Sequence, residues 1–146
     1  MRVLFWYFEK FEWIPSKKTI ENAPDGEPGI CENAVAAFIH TEPDDEANSS
    51  KQVKHLIKQM KWLAGKWETK NVVLHSFAHL GELKSSPEFA QKLIELASQR
   101  LESVGYNVIL PPFGYFLDIK LDARDIHWRE YIKNIVDKLK FWDNPS

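Results

Sequence analysis

The sequence predicts an α/β domain in which amphipathic helices pack on a mixed β-sheet. Apolar runs rich in β-formers, at Val3–Phe8 and Asn33–His40, predict two strands near the N-terminus. After them, apolar residues at helical spacing alternate with further short apolar runs. At 146 residues the chain suits one domain, residues 1–146, that buries roughly two thirds of its unfolded surface.

The first part of the chain is predicted to be mainly strand. Phe11–Ile14 is a candidate second short strand after Val3–Phe8, and Ser16–Cys31 is a connecting loop because it gathers prolines, glycines and charges. The strand Asn33–His40 is closed by Pro43 and an acidic turn.

A first helix and a central strand follow. The apolar stripe of this helix comprises Val53, Leu56, Ile57, Met60, Leu63, Ala64 and Trp67. Its opposite face carries Lys51, Lys54, Lys58, Lys61 and Lys66, a pattern typical of solvated surface that would also attract a phosphate backbone. Asn71–Leu80 is the central strand by pattern, bounded by Gly81.

The second helix is predicted to start at Ser85-Ser86-Pro87-Glu88, where both serines are candidate caps and Glu88 follows Ser85 by three residues as in a capping box. Gly105 is its predicted C-terminal cap. Its apolar stripe comprises Phe89, Leu93, Ile94, Ala97, Leu101 and Val104. Asn107–Leu110 and Tyr115–Leu121 are two further strands. A third amphipathic helix carries Trp128, Tyr131, Ile132, Ile135, Leu139 and Trp142.

Composition excludes several classes of protein. The formal charge of −2 excludes the strongly basic surface of a protein that binds a long nucleic-acid duplex. It does not exclude a protein that binds only the end of a nucleic acid, because such binding needs few phosphate contacts. Cys31 is the only cysteine, so a reducing, cytoplasmic location is expected. The apolar start breaks at Glu9, too early for a signal peptide or a membrane span, so we expect a soluble protein.

Few residues are candidates for chemistry. There is no P-loop, Gly-rich dinucleotide turn, nucleophile elbow or His-Glu-x-x-His motif, and no cofactor is expected. His75 and His79 are four apart on the predicted strand and project to one face. As metal ligands they would need a third partner such as His40, so we expect no metal. One histidine would be structural, and His79, near the strand end, would face a pocket.

Pro111–Leu117 is a stiff, aromatic stretch that leads into the last predicted strand. The two prolines fix φ near about −65°, and Gly114 between aromatic residues lets another backbone or a ligand come close. The stretch is either one wall of a binding site or a strand start whose rings fill a core.

Several segments carry a family resemblance when they are taken together. They are Asn71–Leu80 with its Phe-Ala-His-Leu end, Gly105–Val108, Pro112–Tyr115, Met1–Leu4 and Ala37–Ile39. Over nearly the whole chain, this set resembles the N-terminal editing domain of archaeal threonyl-tRNA synthetase.

The resemblance implies a D-aminoacyl-tRNA deacylase-like fold, a homodimer, and hydrolysis of the ester that joins a wrong amino acid to tRNA. In the family the substrate is serine mischarged on the threonine tRNA. Serine differs from threonine only by lacking one methyl group. Binding alone discriminates between two such amino acids by about 10- to 200-fold, which is too little without a second, hydrolytic site. The implied partners are the tRNA 3′ end and a threonyl-tRNA synthetase, with the chain freestanding or part of a synthetase. No metal or cofactor is implied.

Residues carried over from the family define the expected site. His79 matches the pocket histidine, and Glu130 matches a glutamate on the last helix. The strand end Ile39-His40-Thr41 corresponds to the family's segment that holds the terminal adenosine through its backbone. The expected substrate-binding set is His40, Thr41, Phe77, Ala78, Phe113, Gly114, Tyr115, Phe116 and Leu117.

The chain departs from the family where a catalytic cation is expected. Phe116 and Leu117 stand where the family has a tyrosine and then a lysine that assists hydrolysis, and Ser76 replaces a proline. Lys120 lies on the opposite strand face from Leu117, whereas His40 would be another source of a polar group. Two alternatives follow: a deacylase for D-aminoacyl-tRNA, and an editing-fold module that binds tRNA or a synthetase without catalysis.

Overall fold

The computed structural model describes residues 1–123. Its elements in chain order are β1 (Arg2–Lys18), β2 (Gly29–His40), a 3₁₀ helix (Pro43–Asn48), α1 (Ser49–Lys66), β3 (Asn71–Ser76), α2 (Pro87–Ser103), β4 (Asn107–Ile109) and β5 (Tyr115–Asp122). The strands of this part of the chain form one sheet in the order β4-β3-β2-β1-β5. The predicted third helix and Glu130 lie outside the described residues.

The sheet is mixed, as predicted. β1 pairs antiparallel with β2 through Arg2–Trp13 and with β5 through Lys10–Lys18, whereas β2 with β3 and β3 with β4 are parallel. β1 is a single strand of 17 residues in place of the two short strands predicted. A register shift between Pro15 and Lys17 lets the proline lie within it, because the extra residue interrupts the hydrogen-bond ladder there.

The main core lies between the sheet and the two helices. The apolar stripe predicted for α1 supplies Val53, Leu56, Met60, Leu63 and Ala64, all buried, while the five lysines of its other face are exposed. From α2, Leu93, Ile94, Ala97 and Leu101 are buried, but Val104 is 52% exposed because it lies at the C-cap of the helix. No helix within residues 1–123 is long and apolar enough to cross a membrane.

The opposite face of the sheet carries a second group of rings. This aromatic cluster consists of Phe8, Phe11, Trp13, Phe38 and Phe77, of which all but Phe77 are buried. Phe38 is central to it, with its ring centroid 6.2 Å from Phe11 and 5.3 Å from Phe77. Buried alanines of β2 leave the space that these rings fill.

The ends of α2 are held by different local devices. Ser86, one of the two serines predicted as caps, is the N-cap: its hydroxyl accepts a hydrogen bond from the Phe89 amide at 3.2 Å. At the other end Gly105 has a φ of +92°, and the following amide, of Tyr106, donates back to the Leu101 carbonyl at 3.1 Å. This is a Schellman ending, so the predicted glycine cap is confirmed.

Replacing this glycine tests the cap. Gly105→Ala should lower the free energy of unfolding by about 1 kcal/mol, because an L side chain is strained at positive φ. Gly65 in α1 is the matched control, since nothing lies within 4 Å of the position of an added Cβ. Gly65→Ala should raise stability by up to about 1 kcal/mol. Urea unfolding followed by circular dichroism measures the free energy of unfolding of both variants. Changes of the same sign in the two variants would contradict the assignment of Gly105 as a helix cap.

Candidate functional site

A cavity of about 290 Å³ opens at the carboxyl ends of β2 and β3. Because these strands are parallel, the segments that follow them leave the sheet at the same edge and form its walls. The predicted site residues that line it are Thr41, Ala78, His79, Phe113, Gly114, Tyr115 and Phe116. A cavity of about 530 Å³ lined by parts of β1 and β5 and by the start of β2 is more open and contains none of the predicted site residues.

β3 ends at Ser76 and does not continue to Leu80 as predicted. The Phe77 amide donates to the Ile39 carbonyl at 2.8 Å, and the His79 amide then donates to the Phe77 carbonyl at 2.9 Å. This tight turn redirects the chain away from the sheet. His75 and His79 therefore do not lie on one strand.

The two histidines occupy different environments. His75 is buried, and its ring meets the Phe38 ring edge-on at 5.2 Å. Burial, and then the nearby His79, lower the pKa of His75 to about 4 from its ordinary 6.5. The side chain of His79 is exposed and lines the cavity. This arrangement agrees with the expectation of one structural and one pocket-facing histidine.

Aromatic rings position His79. Its ring lies 4.9 Å from Phe77, edge-on, and 6.2 Å from Phe116 at an interplanar angle of 18°. Phe77 supports His79 from the aromatic cluster and does not itself line the cavity. Leu117 also packs against the aromatic cluster, so the position expected for the family's lysine contributes to packing and not to the cavity wall.

His40 is fully buried and ties the segment after β3 to the end of β2. Its Nδ1 accepts a hydrogen bond from the Leu80 amide at 3.2 Å, so Nε2 carries the proton and donates to the Leu83 carbonyl at 2.7 Å. Both ring nitrogens are thus occupied by backbone groups. The ring holds the wall of the cavity and does not line the cavity itself.

A hydroxyl pair extends this connection. Thr41 Oγ1 lies 2.6 Å from Ser85 Oγ, and the Ser85 amide donates to the Thr41 carbonyl at 3.0 Å. Ser85, which the sequence suggested as a helix cap, therefore fixes the segment before α2 against the end of β2. Both residues line the cavity.

The Pro112–Phe116 wall is anchored from the opposite side. Gly114 has a φ of +84°, and its carbonyl accepts a hydrogen bond from the Thr19 amide at 2.8 Å, the close backbone approach that the sequence predicted. The Tyr115 hydroxyl donates to the Pro24 carbonyl at 2.7 Å and accepts from the Gly26 amide at 3.0 Å. The loop between β1 and β2 thus holds this wall in place.

Sequence reasoning missed part of the cavity. The lining residues outside the predicted set are Thr19, Ile20, Ile39, Ser76, Lys84, Ser85, Pro87, Ala90 and Pro112. Most come from connecting segments. Ile39, Ser76 and Pro112 belong to the segments that carry the family resemblance, whereas Ser85 and Pro87 gave only a signal of helix capping.

Metal and thiol chemistry have no support in the described part of the chain. Within residues 1–123 no group of three or more His, Cys, Asp or Glu side chains could hold a metal ion. Burial raises the pKa of the Cys31 thiol to about 11, so it stays protonated at neutral pH.

The fold and the site define an α/β domain with an aromatic-walled cavity at the ends of two parallel strands. Residues 1–135 match the family model described as the archaea-specific editing domain of threonyl-tRNA synthetase. The chain therefore belongs to this family, and the resemblance seen in the sequence is confirmed.

Relatives agree with this assignment. The threonine–tRNA ligase of Thermococcus onnurineus is 28% identical over 140 residues, and that of Methanocaldococcus jannaschii is 28% identical over 139. The matches cover 93% and 94% of this chain but 22% of each relative, so the chain spans about a fifth of their length. Among solved structures, the c-Myc DNA unwinding element binding protein has a TM-score of 0.61 at 10% identity, covering 84% of this chain and 91% of that one. This likeness confirms the fold class.

The burial of neutral His75 should make stability depend on pH. The pKa of His75 is lower in the folded than in the unfolded chain. The neutral ring therefore makes its full contribution to the free energy of unfolding above about pH 6.5, and this contribution is lost as the pH falls toward 4. The loss is on the order of 3 kcal/mol. Urea unfolding at several pH values should give a flatter profile for His75→Gln than for wild type; parallel profiles would contradict the assignment.

Removing His40 should release the segment that it holds. His40→Ala leaves the Leu80 amide and the Leu83 carbonyl without partners, which costs about 3 kcal/mol of folding free energy. Hydrogen exchange at the Leu80 amide should accelerate far more than at Val73 in the centre of β3, since the opening is local. Equal acceleration at both amides would contradict a local role.

Proposed function

We propose that this domain hydrolyses the ester bond of mischarged aminoacyl-tRNA, with seryl-tRNA for threonine as its substrate. The supporting observation is the cavity, in which Ala78, His79 and Thr41 are brought together with the Phe113–Tyr115 wall. Membership in the editing-domain family supports a proofreading role. The tRNA 3′ end is the partner in this proposal, and a homodimer is its expected assembly.

The dimensions of the cavity suit one end of a substrate. At about 290 Å³ it is close to the lower limit of roughly 300 Å³ for small-molecule sites, so it would admit the aminoacyl group and adjoining ribose. Apolar walls from Ile39 and Phe113 would surround the amino-acid side chain. The Thr41 and Ser85 hydroxyls, which contact each other, supply polar groups to the cavity wall.

Hydrolysis in this cavity would begin with attack of water on the ester carbonyl. The proposed role of His79 is to orient that water and accept its proton, because its ring is held between Phe77 and Phe116 but remains accessible from the cavity. The carbon–oxygen bond to the ribose then breaks, and the ribose oxygen takes up the proton. Glu130, which matches the family's glutamate, would assist.

Leu117 favours a second candidate function. The position of the family's lysine supplies no cation, because it holds a leucine, which packs against the aromatic cluster. An editing-fold module that binds tRNA or a synthetase without catalysis would tolerate this change. A reshaped pocket would also suit D-aminoacyl-tRNA, and a panel of charged tRNAs separates that substrate from seryl-tRNA for threonine.

Single-turnover deacylation of seryl-tRNA for threonine tests the proposal. Wild-type protein should release serine, and His79→Ala should slow release by about 100-fold or more, as expected for loss of a general base. His55→Ala, in α1 and outside the cavity, is the matched control and should retain the wild-type rate.

The alternatives give different results in the same assay. Wild-type protein that binds a non-hydrolysable aminoacyl-adenosine but releases no serine would support the binding module. Wild-type rates in His79→Ala would contradict the role assigned to that histidine.

A further inference from the structure

We propose that Lys84 binds the phosphate group that precedes the terminal aminoacyl-adenosine, at the mouth of the cavity. This inference rests on the proposed function and specifies which part of the tRNA end Lys84 would contact. Lys84 precedes α2 and lies far along the chain from the position at which the family resemblance places a lysine.

The charge distribution in the cavity supports this role. Among the described residues that line it, Lys84 is the one with a permanent charge, and none of them is a carboxylate. Glu82 and Glu88, its acidic neighbours in sequence, are exposed but do not line the cavity. Within residues 1–123 no ion pair engages the Lys84 ammonium. The described walls would therefore attract an anion and would give a cation no counter-charge.

Two other cations near these segments are already engaged. Arg2 Nε lies 3.6 Å from a Glu42 carboxylate oxygen, and its guanidinium also donates to the Leu80 carbonyl at 3.3 Å. Lys18, at the end of β1, lies 3.7 Å from the Asp25 carboxylate. Neither lines the cavity. A phosphate at its mouth would thus meet Lys84.

The backbone at Lys84 is fixed on both sides. The preceding carbonyl, of Leu83, accepts the hydrogen bond from buried His40, and the following residue, Ser85, is bound to Thr41 through its amide and its hydroxyl. The ammonium thus extends from an anchored point on the cavity wall. Fixing the backbone reduces the entropy lost when the side chain binds a ligand.

Exposure of Lys84 favours a phosphate over the developing oxyanion of the ester. Stabilisation of a transient oxyanion is strongest in a site that excludes water, whereas the Lys84 side chain is exposed. A phosphate is a permanent anion that lysine binds as a point charge, and such contacts form at a solvated rim. Loss of Lys84 should therefore weaken substrate binding more than it slows the chemical step.

A pair of ligands tests this contact independently of catalysis. Non-hydrolysable 3′-serylamino-adenosine is titrated with and without a 5′-phosphate, and affinities are measured by calorimetry. For wild type the phosphate should strengthen binding by about tenfold, an effect that higher salt reduces. Lys84→Met should lose this gain while binding the phosphate-free ligand as wild type does, and Lys84→Arg should retain most of the gain.

Lys92→Met is the matched control, because Lys92 is exposed on α2 and does not line the cavity. It should keep the full phosphate effect. An undiminished phosphate effect in Lys84→Met overturns the role of Lys84 and leaves the proposed hydrolysis intact. If neither ligand binds wild type and seryl-tRNA is not hydrolysed, the proposed function fails and the role of Lys84 with it.

Discussion

The cavity depends on one buried histidine. His40 ends β2, and its two ring nitrogens bind an amide and a carbonyl of the segment that connects β3 to α2. That segment has no regular secondary structure, so without these bonds its polar backbone would have to find partners in water. Because His40 is buried, it holds the segment against the sheet edge, with the Thr41–Ser85 contact beside it. One wall of the cavity is thereby rigid before any ligand arrives.

The two faces of the sheet have different roles. The helix-covered face contains the main aliphatic core, while the aromatic cluster on the other face extends through Phe77 to the ring of His79. Packing on this second face thus determines the orientation of a residue at the cavity. Leu117 belongs to the same face, which explains how the chain accommodates an apolar residue there. In our proposal Lys84, on a different segment of the wall, supplies a positive charge that contacts a phosphate and does not replace the family's lysine in the chemical step.

Much of the fold was predictable because its signals are local. Continuous apolar runs located the strands, apolar residues at helical spacing located both described helices, and the glycine at the end of α2 indicated its cap. The predictions that were wrong concern ends of elements. β3 stops at Ser76 because the chain turns there, with the His79 amide donating to the Phe77 carbonyl. Ser86 caps α2, while the Ser85 hydroxyl contacts that of Thr41. Thr41 is distant in sequence from Ser85, so no local pattern could reveal this contact.

The sequence by itself determined the fold class, the family, and the cavity residues that belong to its motifs, including His79 and the Phe113–Tyr115 wall. Periodicity and motif identity are properties of short segments, which is why they can be read without coordinates. Only the tertiary structure decided that the ring of His40 supports the wall without lining the cavity, that Leu117 packs away from it, and that Lys84 lies on it. Each of these depends on which segments the parallel pairing of β2 and β3 brings to one edge of the sheet.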